Sequence, residues 1–495
     1  MTPRLRAHSE TVPGVLERAA HHAPAGPALI SETGDLSYPE LLEAARSAAA
    51  ALIEAGVRPD EPVGIWLANG ADWAIACYGI LCAGARVVPV NTRYTVAEAA
   101  DIIARSRCRI VIAEGDLARA AAEAGARTVL SVPALLGISA DGTEVDRRMS
   151  LLTPDRISHV QYTSGTTGRP KGALLRHGGL VDTTRSWVRI VGLGPGDRYP
   201  VIAPFAHIGG HKTGLLACAV AGAAVLPQPV LDPAALAGAI RERGVTVLQG
   251  PPAFFRSLLA EPGVPHGQIR VAVTGAAVVP RELIHDLRER LGVRTVFTAY
   301  GLTEAGGVCT MTREGDPPEA VSGTAGRPIH GAEVRIDAPT GPGEILVRGT
   351  GLMAGYLDDP VASAAAIVDG WLRTGDLGEL TGDGRLRVVD RLTDLVIVGG
   401  LNVYPAEVER VLAEHPGVVA AAVVGVAHDR LGEVPAAFVT GTADPAELTG
   451  HCAERLAGFK VPRTAWLVAA LPLNAAGKVD KKWLRGEAER RIGGQ

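Results

Sequence analysis

Apolar positions along the chain fall into two alternating patterns. Residues 39–55 and 96–106 carry apolar side chains at helical spacing, and 63–67, 87–90 and 109–113 are short apolar runs of the kind that form buried strands. Pro39 marks the start of one helix and Gly56 its stop. Residues 15–21 and 73–84 also read as helices, and 28–30 with 36–38 as a hairpin around Gly34. Strand and helix in alternation predict a parallel sheet covered by helices. The rhythm resumes with a strand at 199–202, a helix ending at Ala221 and a strand at 224–226. A helix at 233–243 and strands at 245–249, 271–273 and 296–299 follow. Ligands of open parallel sheets gather beyond the carboxyl ends of strands. The loops after Ile202, Val273 and Ala299 are therefore expected to face one cleft.

From about Gly323 the texture changes. Residues 333–336, 343–348 and 384–389 are short strand-like runs between Gly, Pro and Asp turns, which suggests a small β-barrel or twisted sheet. From Leu392 a separate α+β module is expected: a hairpin (394–403), a helix (405–415), strands (418–426 and 435–440) and a helix (445–456), with a tail at 471–479.

A length of 495 residues allows two or more domains and a large core. The apolar fraction of 47% and charged fraction of 21% are those of a globular protein. A net charge of −4 gives no electrostatic reason to bind nucleic acid. No apolar stretch follows the first basic residues, so no secretory signal is expected. The longest apolar region, 215–226, stops at Pro227 and is too short to span a bilayer. Cys77, Cys82, Cys108, Cys218, Cys309 and Cys452 show neither a CxxC motif nor metal spacing and read as small core residues. Cysteine-bound zinc is not expected. The expected location is the cytoplasm, and a homodimer is left open.

The strongest chemical signal is residues 162–172, Tyr-Thr-Ser-Gly-Thr-Thr-Gly-Arg-Pro-Lys-Gly, which follow a strand-like run at 157–161. Gly165 and Gly168 allow positive φ, so that backbone N–H groups can turn inward and bind an anion. Ser164, Thr166 and Thr167 add short donors and Lys171 a mobile positive charge. The Walker spacing is absent, so this is a nucleotide-phosphate loop of another type.

Further motifs follow in order. They are residues 300–304 (Tyr-Gly-Leu-Thr-Glu), 371–376 (Trp-Leu-Arg-Thr-Gly-Asp), 390–394 (Asp-Arg-Leu-Thr-Asp), 399–409 and Gly477-Lys478. Over nearly the whole chain this set resembles the adenylate-forming superfamily of acyl-CoA synthetases, amino-acid adenylation domains and luciferases. Residues 91–94, 298–305 and 402–407 look most like bacterial fatty-acyl-CoA synthetases, close to an actinobacterial group acting on steroid-ring-derived acids. The resemblance implies an α/β fold. A large N-terminal domain (1–391) would hold two stacked αβ subdomains and a small β-barrel, followed by a small mobile C-terminal α+β domain (392–495). It implies that a carboxylic acid attacks the α-phosphorus of ATP, expelling pyrophosphate, and that coenzyme A then takes the acyl group. By the same resemblance Thr163 to Lys171 hold the β- and γ-phosphates. Gly275, Ala276, Ala277, Ala299, Tyr300 and Gly301 surround the adenine, Thr303 donates to the α-phosphate and Glu304 holds Mg²⁺. Asp376 and Arg391 contact the ribose, Lys478 reaches the phosphate–carboxylate junction, and Gly399 and Gly400 line a path for the pantetheine arm. One position departs from the superfamily: the hinge residue, usually Asp or Lys, is Thr393.

His207 matches the gate at the acid pocket, although a lone histidine can also be a hydrogen-bonded core residue. Ala206 stands where amino-acid-activating relatives carry an aspartate, which argues against an amino-acid substrate. Lys212 lies on an otherwise apolar helix; it either meets a second oxygen on the substrate or runs its ammonium out to solvent. Gly306 and Gly307 remove side-chain bulk and leave room for a ring. Two readings beside the CoA ligase stay open within the fold. One is an adenylating enzyme that passes its product to a carrier protein or an amine. The other is a diazotase-like enzyme that activates nitrite for an aryl amine. A catalytically silent binding protein is disfavoured by the presence of Lys478, Glu304 and Asp376 together.

Overall fold

The computed structural model describes residues 10–32, 34–137, 142–163, 169–275, 279–474 and 478–493. A six-stranded sheet comes first. Its order is Thr128–Leu130, Ile110–Ala113, Pro62–Trp66, Arg86–Pro89, Ile157–Thr163 and Lys171–Arg176. Its neighbours are parallel except for the last pair, an antiparallel hairpin. Parallel strands need crossover connections, and the helices Ala71–Cys82, Val96–Ser106 and Gly115–Glu123 supply them. Two helices begin where reciprocal capping boxes fix them, Ser37 with Glu40 and Thr95 with Glu98. The helix Ala71–Cys82 is buried from Trp73 to Cys82, which is why its sequence shows an apolar run without a polar face.

A second, five-stranded sheet has parallel strands Val247–Gln249, Val271–Gly275 and Thr295–Tyr300, extended by antiparallel Thr310–Met311 and Arg327–Pro328. The N-terminal hairpin is not isolated. Leu29 pairs in parallel with Val225, so Pro27–Leu29 joins Ala224–Pro227 and Arg198–Val201 in a four-stranded sheet. The expected small β unit is an antiparallel sheet of Ala332–Asp337, Gly343–Gly349, Ile367–Val368, Trp371–Leu380 and Leu386–Arg391. Its central strand, Trp371–Leu380, is the segment that the sequence showed only as a motif. A register shift at Leu377/Gly378 breaks its pairing with Leu386–Arg391 next to Asp376. Such bulges re-aim side chains.

The C-terminal module has its own sheet, Leu401–Val403, Val396–Val398, Gly432–Gly441 and Val418–His428, with Thr464–Leu467 paired to Gly432–Gly441. Its buried cluster, which includes Val396, Val408, Val423, Phe438 and Leu484, draws only on residues after 395. The molecule is thus a large N-terminal domain and a small C-terminal one. Among the described residues no helix is long and apolar enough to cross a membrane.

The helix expected to end at Ala221 is composite. It runs as Ile208–Gly210, then π-helical His211–Leu216, then Ala217–Ala221. It packs unusually close to Arg198–Val201: a Cβ at Gly210 would lie 2.1 Å from the Pro204 carbonyl oxygen, and one at Gly214 2.6 Å from Val201 Cγ2. The loop between strand and helix is held by Asn69. Its Nδ2 donates to the carbonyls of Val201 (3.2 Å), Ala203 (3.0 Å) and Gln228 (3.1 Å), and its Oδ1 accepts from Phe205 N–H (2.6 Å). One side chain from the bend between strand Pro62–Trp66 and helix Ala71–Cys82 therefore anchors the loop that carries His207. Asn69→Ala leaves these backbone groups without their partner and is expected to cost about 2–4 kcal/mol. Urea unfolding of the variant against the parent protein measures it.

Candidate active site

The phosphate-loop residues Ser164, Gly165, Thr166, Thr167 and Gly168 lie outside the described residues, as do Ala276 and Ala277. The frame around the loop is visible. Thr163 and Lys171 are Cα partners at the end of the hairpin Ile157–Thr163/Lys171–Arg176. The strand after the loop was not foreseen, because Lys171 to Arg176 lacks strict alternation.

Thr163 Oγ1 donates to Glu304 Oε1 at 3.1 Å, and Tyr356 O–H donates to the same oxygen at 3.1 Å. Lys171 Nζ stands 5.2 Å from the centroid of the Tyr356 ring. The flanks Thr163 and Lys171, the carboxylate and a tyrosine from 52 residues downstream thus form one unit. Sequence reasoning missed Tyr356; a single tyrosine in a turn-rich stretch carries no periodic signal. Glu304 itself sits in a 3₁₀ turn, Thr303–Ala305, beyond the strand Thr295–Tyr300, and Thr303 is buried. Gly301 allows the chain to double back: a Cβ there would lie 1.7 Å from the Gly307 carbonyl oxygen. Gly275 meets Ala299 at the adjacent strand ends, where a Cβ would lie 2.7 Å from the Ala299 oxygen.

Asp376 is buried, and both its oxygens are engaged. Tyr300 O–H donates to Oδ2 at 2.7 Å, and Arg391 Nε lies 3.1 Å from Oδ1. Burial, then the Asp376 charge, pushes the Tyr300 phenol well above its usual range. Arg391 is exposed. Next to it, Asp390 accepts from the N–H groups of Arg391 (2.7 Å) and Ala406 (2.9 Å), which ties the last strand of the large domain to the first helix of the small one. Burial raises the Asp390 carboxyl to about 6.

Lys478 comes from the small domain. Its backbone is fixed by Asn474, whose side-chain oxygen accepts from Lys478 N–H at 3.1 Å and whose N–H donates to the Lys478 carbonyl at 2.7 Å. The side chain keeps solvent contact, yet desolvation and the Arg391 charge lower its pKa while Asp376 and Glu304 raise it. Lys478 thus lies near enough to Arg391, Asp376 and Glu304 to feel their charges. Gly399 and Gly400 stand elsewhere, on an exposed hairpin turn with φ of 57° and 88°, and Gly399 N–H donates to the Leu431 carbonyl at 2.7 Å within the same domain.

His207 is half-buried. Desolvation and then Lys478 lower its pKa to about 4, so it is neutral at pH 7. Its Nδ1 accepts from Gly209 N–H at 3.1 Å, which leaves the ring proton on Nε2. Behind it, His211 stacks between His159 (4.8 Å) and Trp73 (5.8 Å), and its Nδ1 faces the Phe205 carbonyl at 3.0 Å. Lys212 does not reach solvent: its exposure is 0%. Desolvation lowers its pKa to about 7. The Cys309 thiol, which feels Lys212 and Glu304, is buried and pushed up to about 12, chiefly by desolvation.

Glu304 supplies an anionic oxygen held by two hydroxyls, a donor set suited to a hard cation such as Mg²⁺. Among the described residues no group of three or more His, Cys, Asp or Glu could hold a metal unaided. The remaining ligands would then be phosphate oxygens and water.

Comparison with known proteins agrees with this geometry. Residues 16–357 match the AMP-binding enzyme family and residues 407–478 the AMP-binding enzyme C-terminal domain. The chain is 44% identical to the 3-[(3aS,4S,7aS)-7a-methyl-1,5-dioxo-octahydro-1H-inden-4-yl]propanoyl:CoA ligase of Mycobacterium tuberculosis, over 96% of this chain and 98% of that one. The o-succinylbenzoate CoA synthetase of Bacillus subtilis, solved with its acyl-adenylate intermediate, superposes with a TM-score of 0.86 at 30% identity, covering 95% of this chain and 97% of that one. The same synthetase has been solved with ATP and magnesium ion. The amide bond synthetase McbA of Marinactinospora thermotolerans superposes with a TM-score of 0.86 at 29% identity, covering 97% of this chain and 100% of that one.

Lys212 generates a prediction about stability. Its folded-state pKa lies below the unfolded value, so the folded protein binds fewer protons between about pH 7 and pH 10. The resulting penalty is full below about pH 7 and fades as pH rises towards the unfolded value. Lys212→Met should therefore stabilise the protein by about 1–4 kcal/mol at pH 6.5, with the gain shrinking at pH 9.5. Urea unfolding at the two pH values tests it.

Proposed function

The chain belongs to the AMP-binding enzyme family and is an ATP-dependent, AMP-forming acid–CoA ligase, and we propose that its cleft divides the work of two half-reactions as follows. In the first, a substrate carboxylate oxygen attacks the α-phosphorus of ATP and pyrophosphate leaves. Negative charge gathers at the α-phosphate, so fixed donors and cations there lower the barrier. Thr163, Lys171 and the intervening loop hold the β- and γ-phosphates. Thr303 donates to the α-phosphate. Gly275, Ala299, Tyr300 and Gly301 form the adenine wall, and Asp376 with Arg391 meets the ribose; a carboxylate with two partners still has lone pairs to offer. Glu304 would hold Mg²⁺, which would supply charge neutralisation on the phosphates. His207, with its proton on Nε2, donates to the incoming carboxylate and orients it.

One observation supports this reading above the others: Lys478 of the small domain lies within the field of Glu304, Asp376 and Arg391 of the large one. There it can bridge the carboxylate and the α-phosphate. In the second half-reaction the thiol of coenzyme A attacks the acyl-adenylate and AMP leaves. The small domain, residues 392–495, turns about Leu392 and Thr393, carrying Lys478 away and bringing Gly399 and Gly400 to the pantetheine path. ATP and coenzyme A as co-substrates, with six buried free cysteines, suit a cytoplasmic enzyme. The likeness to an amide bond synthetase keeps a second acceptor, an amine, in view. Pyrophosphate release and product identity with a panel of acids, with and without coenzyme A, decide between thioester and amide formation.

Lys478→Ala is expected to lower adenylation by roughly 100- to 1000-fold. A preformed acyl-adenylate should still react with coenzyme A at near the parental rate. Equal loss in both assays would remove Lys478 from its assigned role.

Thr393→Pro addresses the turn. Asp394 N–H donates to the Arg391 carbonyl at 3.1 Å, so Leu392 and Thr393 form the bend between domains. Proline fixes φ there and removes an N–H. Thiol transfer should slow at least about 10-fold more than adenylation, since rigid-body rotation needs these few residues to change φ/ψ. Single-turnover kinetics of each step measure both.

A further inference from the structure

The buried ammonium of Lys212 has no hydrogen-bond partner among the described residues. It occupies the π-helical turn His211–Leu216, a type of turn frequent at functional sites. A Cβ added to Gly307 would lie 3.6 Å from Lys212 Nζ, 3.3 Å from its Cδ and 3.6 Å from Ile208 Cγ1. The ammonium therefore lies against the backbone of the loop that carries Thr303 and Glu304. Its titratable neighbours are His211 on its own turn and Cys309 on the facing loop. Both are neutral near pH 7: burial lowers the imidazole to about 4 and raises the thiol to about 12. The positive charge has no fixed counter-charge, and an unpaired buried cation is retained only at a cost to stability. Met or Leu would fill the same space without it. His207 lies five residues earlier, in extended conformation at the N-cap that leads into this helix. The end of the pocket that receives the reacting carboxylate is thus set apart from Lys212.

We propose that Lys212 selects the acid, by donating a hydrogen bond to a second oxygen of the substrate remote from the carboxyl group that is activated. The substrate class is a carboxylic acid bearing a carbonyl or a second carboxylate on its ring or chain. This rests on the ligase reading above. Gly307 belongs to the same device, whereas Gly306 packs against Gly351. Both have positive φ, 71° and 102°, and a side chain at Gly307 would fill the space beside the ammonium. Lys212 is already desolvated and unpaired in the free protein, so an acid with the second oxygen supplies the partner it lacks and an acid without it does not. Sites built to hydrogen-bond a polar group discriminate strongly against analogues that lack it.

The test uses full-length protein and matched acids on straight-chain, cyclohexyl and fused-bicyclic scaffolds. Each scaffold is supplied plain, with a ketone, and with a second carboxylate. Acid-dependent pyrophosphate release gives kcat/KM for each acid. On the best scaffold the parent protein should prefer one oxygen-bearing acid over the plain acid by at least about 100-fold. Lys212→Met should reduce that preference to within about 3-fold of unity, largely by losing activity on the oxygen-bearing acid. Lys212→Gln keeps a donor but no charge. It should retain most of the preference if the second oxygen is a ketone and lose it if it is a carboxylate. Far-UV circular dichroism and the unfolding midpoint of each variant keep folding defects apart from selectivity. Equal kcat/KM for plain and oxygen-bearing acids in the parent protein overturns the inference and leaves the ligase reading intact. Full preference retained by Lys212→Met also overturns it. No pyrophosphate release with any acid overturns the ligase reading, and this inference with it.

Discussion

The buried carboxylate of Asp376 is the contact on which the cleft depends. Tyr300, at the end of a parallel strand, and Arg391, on the last strand before the small domain, both close on it. Two structural units, the second sheet and the small antiparallel sheet, therefore meet at one charge. Removing one partner would leave a carboxylate in a poorly hydrated place without its compensation, which is far more costly than losing a surface ion pair. The bulge beside Asp376 aims its side chain inward, and Asp390 repeats the logic one step outward by bonding to the first helix of the small domain. The end of the parallel strand at Tyr300, the small antiparallel sheet and the domain junction thus share a common support.

Much of the frame was legible in the sequence. The helices at Val96–Ser106 and Pro233–Arg243 fall where the periodicity puts them, because both have clear caps and one apolar stripe. The ends of the parallel strands at Gly275 and Tyr300 lie side by side, as loops facing one cleft require. What escaped was long-range. Asn69 sits beside a glycine and reads as a turn residue, yet its four hydrogen bonds join segments more than 130 residues apart. Tyr356 gave no signal because its importance lies in where its hydroxyl ends. The π-helical turn escaped because an extra residue in a turn leaves the apolar pattern of an Ala/Gly-rich helix almost unchanged. Lys212 was seen as odd, but only burial could choose between a solvent-seeking chain and one held inside.

The cleft is also where the molecule departs from its best stability. A buried lysine without a partner, an imidazole nitrogen of His211 left unbonded, and a small-domain lysine held among charges all weaken the folded state locally. Sequences agree with their folds at every level except where function requires otherwise. The large cores around the six-stranded sheet and the second sheet make such exceptions tolerable.

Cys309 has a chemical consequence of its own. It lies on the loop that follows Glu304, close enough to Lys212 and Asp376 to feel their charges. An acyl-adenylate formed in the cleft is a strong acylating agent, and a thiolate beside it would capture the acyl group and inactivate the enzyme. Burial to 1% exposure and a pKa near 12 leave only about one thiol in 10⁵ ionised at neutral pH. The protein thereby protects its own sulfur from the electrophile it makes, and the acyl group is left for a thiol that arrives from solution.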